Sequence, residues 1–220
     1  MNSKVKIGLL IVLLVIPILT FLFLKIFGSN HYTLPVYFAE DSVQVNGKYK
    51  VTKAHRVPNF NLVDQDGRQA SMTPLRGSIL ITDFFFTRCE GICPKMSTQL
   101  TRVQEAFKND KDVKIISFSV DPSNDNPKVL KQYASLFNAD STCWTFITGN
   151  KDSIYYLAQK GFFLTAMEDR ERPLEFIHSE KLVLVDKQGW IRGYYNGTDK
   201  EEVDRMITEI KVLQQIYADR

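Results

Sequence analysis

The chain has 220 residues, 44% hydrophobic and 24% charged, with 28 Lys and Arg against 25 Asp and Glu, so it reads as globular and close to charge balance. A nucleic-acid partner would want a basic stripe, and none occurs. Three cysteines are too few for a disulfide scaffold, and an odd count leaves at least one thiol outside any internal pair, which favours chemistry over stapling.

In chain order, Ile7–Leu24 (IGLLIVLLVIPILTFLFL) is uncharged and almost wholly apolar, and Ile26 and Phe27 extend it to roughly the length that spans a bilayer. Pro17 is tolerable in a membrane helix. Lys4 and Lys6 precede the run, and after Lys25 no Lys or Arg occurs until Lys48. That bias puts the N-terminus in the cytoplasm and everything after Gly28 on the extracytoplasmic, periplasmic side. No small-residue pair of A-x-A spacing follows the apolar core, so an uncleaved single-pass anchor is expected rather than a signal peptide. The expected division is an anchor over 1–28, a spacer over 29–56 with a hairpin about Asn46-Gly47, and one domain over 57–220, working in an oxidising compartment.

Within that domain, SILITDFFF (Ser78–Phe86), VKIISFSV (Val113–Val120), TCWTFIT (Thr142–Thr148) and KLVLV (Lys181–Val185) are apolar runs of strand length. Helical patterns fall between them. Met96, Leu100, Val103 and Phe107 share a face after Pro94, and Leu130, Tyr133, Ala134 and Phe137 share one after Pro127. A third helix is expected about Ile154–Gln159. A last one should start at Thr198, which has capping-box spacing to Glu201, and bury Val203, Met206, Ile207, Ile210 and Leu213. The turn Asp186–Gly189 should join Leu182–Val185 to Trp190–Tyr195 as a hairpin. Strands alternating with helices, finished by a hairpin and a helix, describe an α/β sandwich around one mixed sheet.

Cys89 then lies in the loop leaving a buried strand. Cys93 immediately precedes Pro94, close to a helix N-terminus whose free N–H groups favour a thiolate. The four-residue spacing lets both sulfurs face one point. Spacing alone leaves a structural pair, a redox couple and a two-thiolate clamp for Cu(I) all open.

The run DFFFTRCEGICPKM (Asp83–Met96), with SVDPSNDNP (Ser119–Pro127), CWTFITG (Cys143–Gly149) and IHSEKLVLVDKQG (Ile177–Gly189), resembles the Sco/SenC family of membrane-anchored copper proteins. The resemblance covers about Val57 to the C-terminus, plus the anchor. It implies a thioredoxin-like fold in which Cys89, Cys93 and His178 bind copper, as Cu(I) or Cu(II). The protein would help deliver that copper to the dinuclear copper site of cytochrome c oxidase. The implied partner is the oxidase's copper-bearing subunit; and because the two thiols should drift to a disulfide in an oxidising compartment, and a disulfide cannot clamp copper, a membrane-anchored thioredoxin-like reductase is expected as a second partner. Arg88 and Glu90-Gly91-Ile92 depart from the family's common filling of the loop.

In a thioredoxin-like plan the residue before the penultimate strand faces the cysteine pair, which is about where His178 falls. An imidazole beside two thiolates completes a set that suits trigonal Cu(I), or tetragonal Cu(II) with one further ligand. Asp83, in a buried strand six residues before Cys89, should have a raised pKa; it either relays protons during thiol oxidation or partners a nearby group. Asp121 is a weaker candidate for support beside the site, Cys143 reads as a small buried hydrophobe, and His31 and His55 read as solvated. The polar stretch MEDRERPLE (Met167–Glu175) reads as a solvated loop or a docking surface.

Three functions fit this pattern. A copper-binding assembly factor, not primarily an enzyme, is preferred; a membrane-anchored thiol–disulfide oxidoreductase using Cys89 and Cys93 as a redox-active disulfide comes next. A thiol peroxidase comes last.

Overall fold

The computed structural model describes residues 3–27, 33–45, 48–164 and 180–218. The chain forms two compact units, Met1–Thr33 and Leu34–Arg220. In the first, helix α1 covers Ser3–Phe27 with Pro17 inside it. Its described side chains, at 8–10 and 12–23, are all exposed, including Leu13 and Phe21. Among the described residues no helix is long and apolar enough to cross a membrane.

The second unit is built on a seven-stranded mixed sheet. Its strands are β3 (Asn61–Asp64), β4 (Gln69–Ser71), β5 (Ile79–Phe85), β6 (Val113–Ser119), β7 (Trp144–Thr148), β8 (Lys181–Val185) and β9 (Ile191–Asn196), in the order β4-β3-β7-β6-β5-β8-β9. The central three, β5, β6 and β7, are parallel, joined through helices α2 (Ile92–Ala106) and α3 (Pro127–Leu136), as parallel neighbours require. The antiparallel pairs β5–β8 and β8–β9 complete one side and β7–β3–β4 the other. The four strands and the terminal hairpin read from the sequence are all present. β3 and β4 were not anticipated, although Asp66-Gly67 between them is a turn signal. Asp64 Oδ1 accepts from the N–H of Asp66 and Arg68 there, and Gly67 takes a φ of 78°.

Alternation along the strands sends residues to two cores. Ile79, Ile81 and Phe85 of β5, Val113 and Ile115 of β6, and Trp144 and Phe146 of β7 face α2, α3 and the last helix α5 (Lys200–Ala218). Leu80, Phe84, Ile116, Phe118 and Ile147 face the other way, onto Ile154 of α4 (Lys151–Tyr156) and Leu157, Ala158 and Phe162 beyond it. α4 begins earlier than expected because Asn150 caps it, accepting from Ser153 N–H at 2.9 Å, and a wider π turn, Leu157–Gly161, prolongs it. α5 starts one residue later than the Thr198 reading allowed. Asp199 accepts from Glu201 N–H at 2.8 Å, while the Thr198 hydroxyl bonds Asn196.

The stretch read as a spacer carries structure from Leu34 onward. Leu34 is buried, and a buried arginine, Arg192, binds the carbonyls of Leu34 and Pro35 at 2.6 and 2.8 Å and the Asp186 carboxylate at 2.8 Å. Beyond it, β1 (Ala39–Val45) and β2 (Lys48–Ala54) pair antiparallel as a separate two-stranded sheet; Asn46 and Gly47 lie outside the described residues.

Candidate functional site

The site grows from the C-terminal ends of β5 and β6, where parallel strands in an open α/β sheet leave a crevice. The loop after β5 carries Thr87, Arg88 and Cys89, and two residues of the next loop pin it. Asp125, fully buried, accepts from Thr87 N–H at 3.0 Å, the Thr87 hydroxyl at 2.5 Å and the Ser119 hydroxyl at 2.6 Å. The Asp121 carboxylate takes Arg88 Nη2 at 2.7 Å and the Asn124 amide. A loop otherwise free to sample many conformations is thereby fixed just before the first cysteine. The support expected of Asp121 has a partner in Arg88; Asp125 was missed, although it stands inside the SNDNP run.

α2 starts at Ile92, with Gly91 as its cap residue. Cys93 is therefore already inside the helix and buried, while Cys89 stands before it, partly exposed, and receives the Cys93 N–H on its sulfur at 3.4 Å. Partial burial pushes the Cys89 thiol up. Hydrogen bonds from the Cys93 thiol and from the N–H groups of Cys93, Gly91 and Ile92 outweigh this and hold it below the ordinary thiol value. Burial pushes Cys93 far up, and donating to Cys89 raises it further. This reverses the expectation that Cys93 is the thiolate at the helix terminus: the free N–H groups point back at the residue before the helix. All three cysteines are free thiols, and Cys143 is buried in the core, as its sequence context suggested.

Asp83 lies on the same face of β5 as Ile81 and Phe85, 1% exposed. Burial raises its carboxyl to about 7, against the lowering effect of the Ser117 hydroxyl, which donates to it at 2.5 Å. Trp144 Nε1 donates to the same Ser117 oxygen at 2.9 Å, so a polar line crosses three strands inside an apolar core. Asp83 also opposes ionisation of Cys93. Nearby, Tyr133 and Ser97 share a buried hydroxyl pair at 3.0 Å. Neither Ser117, Trp144 nor Tyr133 could be singled out by type, since a serine in a strand or an aromatic in a helix is ordinarily packing.

His178, His31 and the stretch 167–175 lie outside the described residues. Among the described residues no group of three His, Cys, Asp or Glu could hold a metal ion. His55 is not simply solvated: it is half-buried, its Nε2 is 3.0 Å from the Gly161 carbonyl, and its ring packs edge-on to Phe163.

The mixed sheet with a thiol pair straddling a helix start defines a thioredoxin-like thiol domain. A sequence profile described as SCO1/SenC matches residues 49–215, and the chain belongs to that family. It is 37% identical over 159 residues to the SCO1 protein homolog of Bacillus subtilis (strain 168), covering 71% of this chain and 82% of the relative. The solved structure of BsSco, described as having a disulfide switch and as a member of the Sco family of cytochrome c oxidase assembly proteins, superposes with a TM-score of 0.63 and 36% identity. It covers 73% of this chain and 94% of that one. ScoI of Bradyrhizobium japonicum, solved with copper bound, shares the fold with a TM-score of 0.57 and 23% identity, covering 73% and 99% of the two chains.

Proposed function

We propose that this protein binds copper through Cys89 and Cys93 with His178, and assists assembly of the dinuclear copper site of cytochrome c oxidase. In this reading it works from the extracytoplasmic side of the cytoplasmic membrane, held there by its N-terminal helix. The observation that carries the reading is the pairing of two sulfurs across the start of α2, one of them carrying the other's N–H. Two thiols with an imidazole are the soft donor set copper takes. Copper is the cargo here, and the oxidase subunit is its destination. What this chain supplies is a fixed pair of donors. Asp125 and Arg88–Asp121 hold the loop, and the helix N–H groups favour the anionic form of the outer sulfur.

The inequality of the two thiols favours a second, compatible reading as a thiol–disulfide oxidoreductase. Cys89 as thiolate attacks one sulfur of a partner's disulfide, forming a mixed disulfide and releasing the first partner thiolate. Cys93 loses its proton, with Asp83 beneath it as a candidate acceptor. It then attacks Cys89 Sγ, releasing the second partner thiolate and leaving this pair oxidised. A disulfide cannot clamp copper, so loading then depends on a reductase, for which a membrane-anchored thioredoxin-like partner is the natural candidate.

The test is copper titration of the full chain in detergent with thiols reduced. His178→Ala should keep most Cu(I) but lose the thiolate-to-Cu(II) charge-transfer absorption, while its cysteines still cycle with dithiothreitol. If the variant bound both copper states like wild type, the oxidoreductase reading would stand alone. Alkaline phosphatase fused after Arg220 should be active; a silent fusion, with a cytoplasm-only reporter active in its place, would refute the topology.

A further inference from the structure

The loops that leave β5, β6 and β7 open at the same end of the sheet as the thiols, because the three strands are parallel neighbours. With the first turn of the helix after each, they cover residues 86–95, 120–130 and 149–154. Their charges are sorted by depth. Arg88, Lys95, Lys128 and Lys151 are all exposed, against Glu90 and Asp152 among the acids. Asp121 and Asp125 are buried, and both are taken up in holding the loops. None of the three lysines has a carboxylate partner among the described residues.

Two of these cations flank the buried Asp121. Arg88 gives it one of five N–H donors, at 2.7 Å, from a side chain 62% exposed, which leaves the others for an acceptor from outside. The Arg88 charge is not what holds Cys89 as a thiolate; the hydrogen bonds at the start of α2 do that. Lys151 Nζ sits 5.3 Å over the Tyr155 ring. Burial pushes the Tyr155 hydroxyl up and the Asp121 charge adds to it, which sets that ring near both. Since β6 runs between β5 and β7, the loops carrying Arg88 and Lys151 stand about 10 Å apart, two strand spacings. An extended chain covers that distance in about three residues.

We infer that this rim docks an acidic segment of a protein partner, with carboxylates that meet Arg88 and Lys151 within about three residues of the cysteine presented to Cys89. The inference deepens the thiol-exchange reading above and rests on it. The rim selects among partners: it leaves the reactivity of the sulfur alone and raises the rate at which an acidic disulfide reaches it.

The experiment follows reduction of three cystine peptides by the full chain in detergent, with Cys89 and Cys93 reduced. The peptides share one length and carry Glu, Gln or Lys on both sides of the disulfide. In each exchange one peptide disulfide becomes two thiols as the Cys89–Cys93 pair is oxidised. At low salt the Glu peptide should react about tenfold faster than the Gln peptide, and the Lys peptide more slowly, with the order collapsing at high salt. Lys151→Glu should remove most of that preference and Lys151→Arg should keep it. Arg88→Ala should slow the Glu peptide more than the Gln peptide. Lys211→Glu, the same change of charge at the other end of the sheet, where Gln214 meets Asp110, should leave the preference as it is. Equal rates for the three peptides overturn the docking surface and leave the exchange standing. A preference lost as fully in Lys211→Glu as in Lys151→Glu assigns it to net charge and also overturns the surface. No reduction of any peptide overturns the exchange reading, and the docking surface with it.

Discussion

The two faces of the sheet differ in kind. Toward α4 the central strands present Leu80, Phe84, Ile116, Phe118 and Ile147, and the Phe118 ring has those of Phe60, Phe84 and Phe162 within 6.0 Å of it. Toward α2 the same strands interrupt an equally apolar core, to which Cys93 of α2 belongs, with Asp83 and Ser117, tied to Trp144. Burying a carboxyl and a hydroxyl is unfavourable unless they bond each other, and even so nothing on packing grounds asks for them there. One face is almost wholly apolar; the other carries a buried carboxyl whose charge would oppose ionisation of Cys93. Thr82, whose buried hydroxyl has no partner, is the one polar residue of β5 facing the apolar side.

The sharpest way to break this contrast is at the sulfurs. Cys89→Ser or Cys93→Ser should abolish stoichiometric copper binding, measured as metal retained per chain, because one thiolate leaves the ion short of soft donors. Copper held by both variants at wild-type affinity would sink the clamp. Cys143→Ser, in the same core, where its thiol contacts Gln104 and the Asp140 carbonyl, should bind as wild type does. The opposite face should respond in stability alone. Phe118→Ala should lower the unfolding free energy by about 3–5 kcal/mol in urea titrations while the folded fraction still takes up copper at the same ratio.

Asp83→Asn sharpens the comparison, because it removes the charge and keeps an oxygen for Ser117. A carboxyl raised from 3.8 to about 7 on folding binds its proton more tightly in the native state. The contribution of Asp83 to stability should therefore be fully present below pH 4, be lost as pH rises through the window from about 4 to 7, and level off above it. At 1.36 kcal/mol per unit the full effect is about 4 kcal/mol at most. In Asp83→Asn that slope should flatten, and the variant should be the more stable protein at pH 8. An unchanged slope would mean another group carries it.

How much of this was readable beforehand follows from what each residue needs. The central strands declare themselves because burial on both sides demands unbroken β-branched and aromatic runs, and the helices because Met96, Leu100 and Val103 repeat at helical spacing. Cys89, Cys93 and Asp83 are rare types in telling places. The thiol roles were not readable, since they turn on whether α2 begins before or after Cys93, and helix ends drift by a residue or two from any pattern. Asp125 was hidden for a different reason. Its three donors come from Ser119 at the end of β6 and from Thr87 in the loop after β5, and no local spacing encodes the Thr87 contact, which the parallel pairing of β5 and β6 brings about.

The smallest expected effect tests how the loop before Cys89 is held. Arg88 and Asp121 form a 2.7 Å pair, but the arginine side chain is 62% exposed, so solvent screens the attraction and the pair should contribute under about 1 kcal/mol to stability. Asp125 does the same work from inside, with three hydrogen bonds and no exposure. Arg88→Ala should accordingly leave the urea midpoint nearly unmoved. Its effect should show in the thiol, because the variant loosens the residue next to Cys89 without touching the N–H groups that stabilise it. Alkylation of reduced Cys89 by iodoacetamide, followed against pH, should keep its midpoint and change in rate by no more than a few-fold. A midpoint that moved upward by a full unit would mean the Arg88 charge, and not the start of α2, is what holds that sulfur as a thiolate.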